Sequence, residues 1–199
     1  MNSNILHVIY VISILSFIVI RVAFHRKAKI ARRDVELKES KLNMAIRAIL
    51  GLGYVAALVV FAIAPGLFDW AAFMLPVWVR WIGAVITIAS VLLIWWVQWA
   101  LDVQFDTTLH TQADHQLITH GPYRWVRHPM YSALFLMGLG WLLLTANWFI
   151  GAPLMIGIVI VVLMRVENEE AVLIDLFGDD YRNYMKHTGR FLPLLLAKD

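Results

Sequence analysis

The fold is decided by residues 121–164, which read GPYRWVRHPMYSALFLMGLGWLLLTANWFIGAPLMIGIVIVVLM. Two apolar runs in this stretch, Met130–Thr145 and Trp148–Met164, are separated only by Ala146-Asn147. A connection of two residues between apolar runs of this length predicts a tight hairpin of two antiparallel helices. Pro129 suits the first turn of the first helix, because its missing N–H costs nothing there. The stretch therefore predicts an apolar helical hairpin with a polar segment at its entrance.

The composition of the whole chain is that of a membrane protein. Hydrophobic residues make up 61% of the 199 residues and charged residues only 16%, against about 45–50% and about 25% in soluble domains. Three further apolar runs are long enough to cross a bilayer, namely Ile5–Phe24, Met44–Ala64 and Val77–Leu101. We therefore predict an all-α integral membrane protein with about five transmembrane helices. It forms a single membrane-embedded domain over residues 1–199, with a cytoplasmic amphipathic helix after Met164.

The first apolar run is interpreted as a retained span. No basic residue precedes Ile5, and the run is longer than the roughly 7–15 apolar residues of a signal peptide. The connection after it is rich in basic residues, whereas the connection between the second and third runs has none. The excess of Lys and Arg marks the cytoplasmic side of a membrane protein. This predicts an N-terminus outside, with the segment 102–129 and the C-terminus in the cytoplasm. The basic residues of the first connection are Arg26, Lys27, Lys29, Arg32, Arg33, Lys38 and Lys41.

Several classes of site are excluded or disfavoured. The chain has no cysteine, which excludes disulfides, thiolate metal sites and cysteine nucleophiles. His110, His115, His120 and His128 do not share a helical face, and no H-E-x-x-H motif is present. We therefore predict no metal site. The net charge of +3 is explained by membrane topology, so we expect no nucleic-acid partner.

The polar segment before the hairpin is the first candidate site. It contains Tyr123, then Arg127-His128-Pro129, then Tyr131. His128 comes just before a predicted helix N-terminus, where free N–H groups favour an anionic ligand. The tyrosines add aromatic faces and hydroxyls. The spacing predicts a pocket for a polar ligand that carries a carboxylate and an aromatic ring.

A second polar cluster follows the last apolar run. Glu167, Glu169 and Glu170 are expected to open the C-terminal helix, where Glu167 is an ordinary complement to the helix dipole. Glu169 and Glu170 lie on adjacent helix faces, so that one of them is free to point toward the spans. An inward carboxylate suits a ribose diol or a cationic sulfonium. Arg190 pairs either with an acidic substrate group, with these glutamates, or with solvent and lipid.

Together these motifs resemble the isoprenylcysteine carboxyl methyltransferase family. The resemblance rests on G-P-Y at 121–123, V-R-H-P-M-Y at 126–131, Glu169-Glu170, and L-F-G-D-D-Y at 176–181 followed by Tyr184. The motifs occur in this order around the helical hairpin, between about Gln116 and Pro193. The N-terminal half of the chain matches the family only in hydropathy and number of spans.

The resemblance implies a membrane-embedded methyltransferase that uses S-adenosylmethionine and releases S-adenosylhomocysteine, with its cofactor half at about residues 102–199. Arg190 matches a T-G-R element of microbial members and is a candidate for orienting the substrate, a role that Arg127 also suits. Glu170 is a candidate base if the acceptor is an amine. The residues implied in the cofactor pocket are Tyr123, Arg127, His128, Pro129 and Tyr131, with Glu169 or Glu170 reaching in from the other side.

The acceptor stays open at this stage. A carboxylate of an isoprenylcysteine-like, lipophilic molecule is the first expectation, and a phospholipid amine or a small thiol is the alternative. A hypothesis of another class is a non-enzymatic membrane protein whose polar clusters anchor it at the interface. A third and weaker hypothesis is a reductase-like relative of the same membrane fold that binds a nicotinamide. Neither the motifs nor the hydropathy indicates an oligomeric state.

Overall fold

The computed structural model describes residues 2–31, 41–107 and 117–194, all of them in helices, turns and connections, with only two isolated bridges between extended residues. This confirms the predicted all-α class. His110 and His115, together with Arg32, Arg33 and Lys38 of the basic connection, lie outside the described residues. The helices are α1 (Asn2–Ala31), α2 (Lys41–Ile63), α3 (Val77–Thr107), α4 (Pro129–Thr145), α5 (Trp148–Phe177) and α6 (Asp179–His187), with 3₁₀ turns at Pro65–Ala71 and Gly121–Arg124.

The predicted hairpin is confirmed as α4 and α5. Pro129 is the first residue of α4, and Ala146 ends this helix in the left-handed conformation with φ of 52°. Asn147 then caps α5, because its side-chain oxygen accepts a hydrogen bond from the N–H of Phe149. Two residues thus reverse the chain.

The second helix of the hairpin corrects the prediction for the C-terminal segment. α5 runs without interruption from Trp148 to Phe177, and Gly178 ends it with φ of 56°. Glu167, Glu169 and Glu170 therefore lie five turns or more inside a long helix, not at the start of a new one, and the dipole explanation for Glu167 is wrong. Glutamate and leucine are good helix formers, so the loss of apolarity after Met164 does not end the helix. The separate short helix after Gly178 is α6.

Among the described residues, three helices are long and apolar enough to cross a membrane: Asn4–Phe24 of α1, Val77–Leu101 of α3, and α5. A fourth candidate is Gly51–Ile63 of α2 with the following 3₁₀ turn, bent by 113°. α4 is apolar but has only 17 residues. Many large apolar side chains on these helices are exposed, as expected of surfaces that face lipid. The chain is an integral, multi-pass membrane protein.

The core lies where α1, α3 and α4 pack together. Trp141 of α4 is fully buried, and its indole N–H donates to the hydroxyl of Ser13 in α1 at 2.9 Å. Gly140 of α4 lies so close to Thr87 of α3 that an added Cβ would be 2.5 Å from its hydroxyl oxygen. Close backbone approach at small residues is a usual way for helices to associate in membranes. This packing fixes α4, and with it both ends of the hairpin.

Candidate functional site

Two segments that are distant in sequence meet at the start of α4. The loop before α4 forms a parallel bridge with the residues after α6, between Val126 and Gly189. The N–H of Arg127 donates to the carbonyl of Gly189 at 2.8 Å, and the N–H of His128 donates to the carbonyl of Arg190 at 3.0 Å. The Ser132 hydroxyl also donates to the carbonyl of Phe191 at 2.6 Å. The polar segment and the C-terminal residues therefore form one unit.

Gly189 is required by this close contact. A Cβ at this position would lie 1.7 Å from the carbonyl oxygen of Leu192, well inside van der Waals contact. No other residue fits without moving the backbone. From the sequence, Gly189 is predicted to break the C-terminal tail and belongs to the T-G-R element, but no local pattern predicts its pairing with Val126.

The four side chains Arg127, His128, Glu170 and Arg190 form what we call the Glu170 cluster. Glu170 is 3% exposed. Its Oε1 accepts from Nε of Arg127 at 2.9 Å, and its Oε2 accepts from Arg190. His128 Nε2 lies 3.3 Å from Oε1. Both oxygens of the carboxylate are thus engaged by cations, which is the condition for keeping a buried charge.

Arg127 also closes the end of α6. Its Nη1 donates to the backbone carbonyls of Met185, at 3.2 Å, and of Thr188. Cationic side chains at a helix C-terminus satisfy carbonyls that lack partners within the helix. Nearby, the Tyr184 hydroxyl donates to the carbonyl of Tyr123 at 2.6 Å. Arg127 therefore links three elements: the loop before α4, α5 and α6.

A cavity of about 880 Å³ opens beside the Glu170 cluster, and we call it the Glu169 cavity. Glu169, on the neighbouring face of α5, is partly exposed there, with its side chain 39% accessible. Its carboxylate accepts from the Tyr131 hydroxyl at 2.9 Å. The wall includes Leu101, Tyr123, Arg127, His128, Pro129, Met130, Tyr131, Arg165, Asn168, Glu169, Val172 and Leu173. A smaller cavity of about 280 Å³ shares Tyr123, Arg127 and Leu173 with it and is otherwise mostly apolar and aromatic.

The predicted site residues are therefore brought together in two adjacent environments, the wall of the Glu169 cavity and the Glu170 cluster. Tyr123, Arg127, His128, Pro129, Tyr131 and Glu169 line one cavity. Glu170 is buried next to it and is held by arginines, so the prediction that one of the two glutamates points inward is confirmed for Glu170. Arg190 pairs with a glutamate, which was one of its predicted alternatives. Its side chain stays 42% exposed.

Two wall residues were missed as candidates. Arg165 and Asn168 lie four and one residues before Glu169, and Val172 lies three residues after it, so this face of α5 follows helical spacing. The same spacing was present in the sequence. Arg165 and Asn168 belong to the polar cluster that follows the last apolar run, in which only the glutamates were predicted as site residues.

Burial sets the protonation of the site. Burial lowers the pKa of His128 against the opposing effect of Glu170, and so favours a neutral imidazole at pH 7. A neutral ring that donates from Nε2 to Glu170 leaves Nδ1 as an acceptor, 3.8 Å from Oε2 of Glu169. The hydrogen bond to Glu170 raises the pKa of Arg190, so its positive charge is secure. Burial also raises the pKa of Tyr184 to about 12, which keeps its hydroxyl a donor.

The chemistry of the wall suits a ligand that is both charged and apolar. A carboxylate, a guanidinium, an amide and an imidazole stand beside Leu101, Val172 and Leu173. The volume lies within the range of about 300–1,000 Å³ that small-molecule sites have. No group of three or more acidic or histidine side chains suited to a metal occurs in the described parts of the chain.

Comparison with known proteins gives a consistent family match. Residues 81–175 match the model of the isoprenylcysteine carboxyl methyltransferase (ICMT) family. The chain is similar to a protein-S-isoprenylcysteine O-methyltransferase of Schizosaccharomyces pombe, with 37% identity over 84 residues, 41% of this chain and 35% of that protein. It is also similar to proteins of the same name from Homo sapiens, with 33% identity over 81 residues, 41% of this chain and 28% of the relative, and from Saccharomyces cerevisiae, with 35% over 89 residues, 42% of this chain and 35% of the relative. The match thus spans about a third of the length of these curated relatives.

Proposed function

Because residues 81–175 match the model of the isoprenylcysteine carboxyl methyltransferase family, we propose that the chain is a member of this family and an integral membrane methyltransferase dependent on S-adenosylmethionine. The proposed acceptor is lipophilic, a carboxylate of an isoprenylcysteine-like molecule. The observation that carries this proposal is the Glu169 cavity, which lies inside the matched motifs and combines charged and apolar walls. The whole chain, residues 1–199, acts as one membrane-embedded domain in this proposal.

The wall residues fit the cofactor by their chemistry. The Glu169 carboxylate suits the ribose diol or the ammonium group, and Arg165 with Asn168 suits the carboxylate of the amino-acid part. The apolar side chains Val172 and Leu173 suit the adenine ring. Tyr131 holds Glu169 in place through its hydroxyl. These side chains support the assignment of the cofactor to the Glu169 cavity.

When bound, S-adenosylmethionine supplies a sulfonium methyl, whose carbon takes an electron pair from an acceptor oxygen as the carbon–sulfur pair returns to sulfur. A carboxylate acceptor is already a nucleophile, so the protein has no proton to remove. Its task is to orient the acceptor and exclude water. Arg190, with part of its guanidinium exposed beside the paired Glu170, is the proposed guide for the acceptor carboxylate. Glu170 holds Arg127 and Arg190 in position, and its engaged oxygens make it a poor base.

The proposed topology has five membrane helices, with the N-terminus outside and the cavity and C-terminus in the cytoplasm. The helix bounds support it, because the Glu169 cavity and α6 lie at the same end of the hairpin. In this arrangement the cofactor enters from the cytoplasm and a lipophilic acceptor enters from the bilayer. Cysteine labelling of single-cysteine variants at positions 2 and 182 from either side of sealed vesicles tests it. Labelling of both positions from one side contradicts it.

The decisive test is calorimetric titration of the detergent-purified chain with S-adenosylhomocysteine, with NADPH as a control. We expect saturable, micromolar binding of S-adenosylhomocysteine alone. A turnover screen with an N-acetylated prenylcysteine, phosphatidylethanolamine and a small thiol then identifies the acceptor. Methylation of the amine or the thiol alone overturns the carboxylate proposal. If S-adenosylhomocysteine does not bind, the methyltransferase proposal is wrong and a non-enzymatic membrane protein is favoured.

A further inference from the structure

A second polar cavity lies at the opposite end of the bundle. It has a volume of about 440 Å³ and is lined by residues of α1, the 3₁₀ turn at Pro65–Ala71, the start of α3 and the tip of the hairpin. α4 separates it from the Glu169 cavity by its full 17 residues, or about 25 Å at 1.5 Å per residue. One small ligand cannot occupy both cavities. We call this one the Arg80 cavity.

Backbone contacts give the Arg80 cavity a fixed shape. The N–H of Phe73 donates to the carbonyl of Ala146 at 2.9 Å, and the side-chain amide of Asn147 donates to the carbonyl of Phe68 at 2.8 Å. These bonds hold the 3₁₀ turn against the hairpin tip. On the other side, His7 of α1 contacts the carbonyl of Ala62 at 3.0 Å. The walls are thus joined before any ligand binds.

Two opposite charges share this cavity without pairing. Arg80 is half-buried, and its Nε donates to the carbonyl of Leu144 at 3.1 Å, which fixes the side chain and leaves its two terminal nitrogens available. Asp69 also lines the cavity and is exposed. Within the described ranges, neither residue forms an ion pair with any other side chain. A cation and an anion held apart in one cavity complement a ligand that carries both charges.

Two exposed tryptophans are next in sequence to residues that line the cavity, Trp70 after Asp69 and Trp148 after Asn147. Trp70 and Trp148 are 63% and 46% exposed, and their rings meet edge to face with centroids 5.4 Å apart. Exposed tryptophans at the ends of spans sit at the level of lipid head groups. Val8, which lines the cavity and is also exposed, continues the wall along the apolar side of α1. The cavity therefore opens at the depth where a bilayer presents its head groups.

We propose that the Arg80 cavity binds the zwitterionic head group of a phospholipid from the adjacent leaflet. The phosphate accepts hydrogen bonds from the terminal nitrogens of Arg80, and the primary ammonium donates to the Asp69 carboxylate. The acyl chains leave past Val8 along the apolar surface of α1. This site is independent of the methyltransferase proposal, because it shares no residue with the Glu169 cavity.

The test uses the full chain in detergent and short-chain lipids below their micelle concentration. Dihexanoyl-phosphatidylethanolamine is titrated by calorimetry beside dihexanoyl-phosphatidylglycerol, free phosphoethanolamine and inorganic phosphate. We expect saturable binding of phosphatidylethanolamine, at least fivefold weaker in both Arg80→Gln and Asp69→Asn. Arg182→Gln, which removes an exposed arginine of α6, is the matched control and keeps the affinity of the parent protein.

The remaining outcomes overturn specific parts of the proposal. If phosphatidylglycerol binds as tightly as phosphatidylethanolamine and Asp69→Asn loses no affinity, the cavity does not select a zwitterionic head group and is a simple anion site. If inorganic phosphate or free phosphoethanolamine binds as tightly as the lipid, the proposal that the ligand is a phospholipid is wrong. Unchanged binding in both variants overturns the site. Asp69 is exposed, so Asp69→Asn keeps the test valid even if Arg80→Gln fails to fold.

Discussion

Glu169 and Glu170 are neighbours in α5, but their carboxylates differ in exposure and in their partners. In the Glu170 cluster both oxygens of the carboxylate have a cationic partner, and the carboxylate itself is buried. In the Glu169 cavity the carboxylate is partly exposed, and within the described residues its near partners are the Tyr131 hydroxyl and the His128 imidazole. The closed region ties the loop before α4, α5 and the C-terminal residues together. The open region keeps its donors and acceptors available for a ligand. The difference indicates that Glu170 stabilises the structure of the site, whereas Glu169 is available to bind a ligand.

The largest effect is expected when the stability of Glu170→Gln is compared with that of Glu169→Gln. Removing the buried carboxylate charge leaves Arg127 and Arg190 uncompensated, and we expect a loss of roughly 3–5 kcal/mol in the free energy of unfolding. Glu169→Gln is expected to change it by less than about 0.5 kcal/mol. Denaturant titration in detergent, followed by tryptophan fluorescence, measures both. Equal stability of the two variants contradicts the distinction.

The next largest effect is expected for Gly189→Ala, which tests whether the C-terminal residues belong to the closed region. The added methyl group clashes with the Leu192 carbonyl and pushes the chain away from Arg127, at a cost of about 1–3 kcal/mol. Gly157→Ala is the matched control, because Gly157 lies inside α5 with no described atom within 4 Å of the new Cβ. That variant gains up to about 1 kcal/mol from helix propensity. A loss of equal size in both variants argues that the Gly189 contact is irrelevant.

A sharper test of the open region is the affinity for S-adenosylhomocysteine in Glu169→Gln. A hydrogen bond to a charged group contributes about 1.5–3 kcal/mol, so we expect binding at least about tenfold weaker with the melting temperature unchanged. Calorimetry gives the affinity, and thermal unfolding gives the stability. The exposed Glu167→Gln, on another face of α5, serves as the control. Parent-like affinity in Glu169→Gln removes this residue from the binding wall.

The smallest expected effect is a pH dependence of stability, caused by His128, which lies between the Glu170 cluster and the Glu169 cavity. The pKa of His128 is lowered in the folded protein, so below about pH 6.5 the unfolded chain takes up a proton that the folded chain does not. Stability therefore falls as the pH drops from about 6.5 toward the lower folded value, by less than about 1.4 kcal/mol per pH unit. His128→Gln should flatten this part of the stability curve. The exposed His187→Gln should leave it in place.

The sequence was sufficient for the parts of the fold that depend on local signals. Pro129, Asn147 and Gly178 each have a defined position at a helix end, and the structure places each of them there. That Glu169 and Glu170 differ in exposure was expected, because neighbouring helix positions face different directions, but the sequence did not indicate which of them is buried. Where the prediction was wrong, at the start of the C-terminal helix, a change in polarity was taken for a change in backbone conformation.

The rest of the site depends on contacts that no local pattern reports. The bridge between Val126 and Gly189 joins residues 63 positions apart, and the double role of Arg127 exists only after that bridge forms. The Arg80 cavity likewise combines the beginning of α1 with the tip of the hairpin. Such contacts follow from the packing of α1 and α3 on α4, which the hydropathy of each run does not specify.

The long sequence separation within the Glu170 cluster also orders events during biosynthesis. Glu170 is made 43 residues after Arg127 and 20 residues before Arg190, and chains are made from the N-terminus at about 5–20 residues per second. The Glu170 carboxylate therefore exists for roughly 1–4 seconds before its second arginine partner has been synthesised. The C-terminal residues then dock and complete its neutralisation. The cluster, and with it the pairing of the loop before α4 with the residues after α6, is thus completed only after this region has been translated.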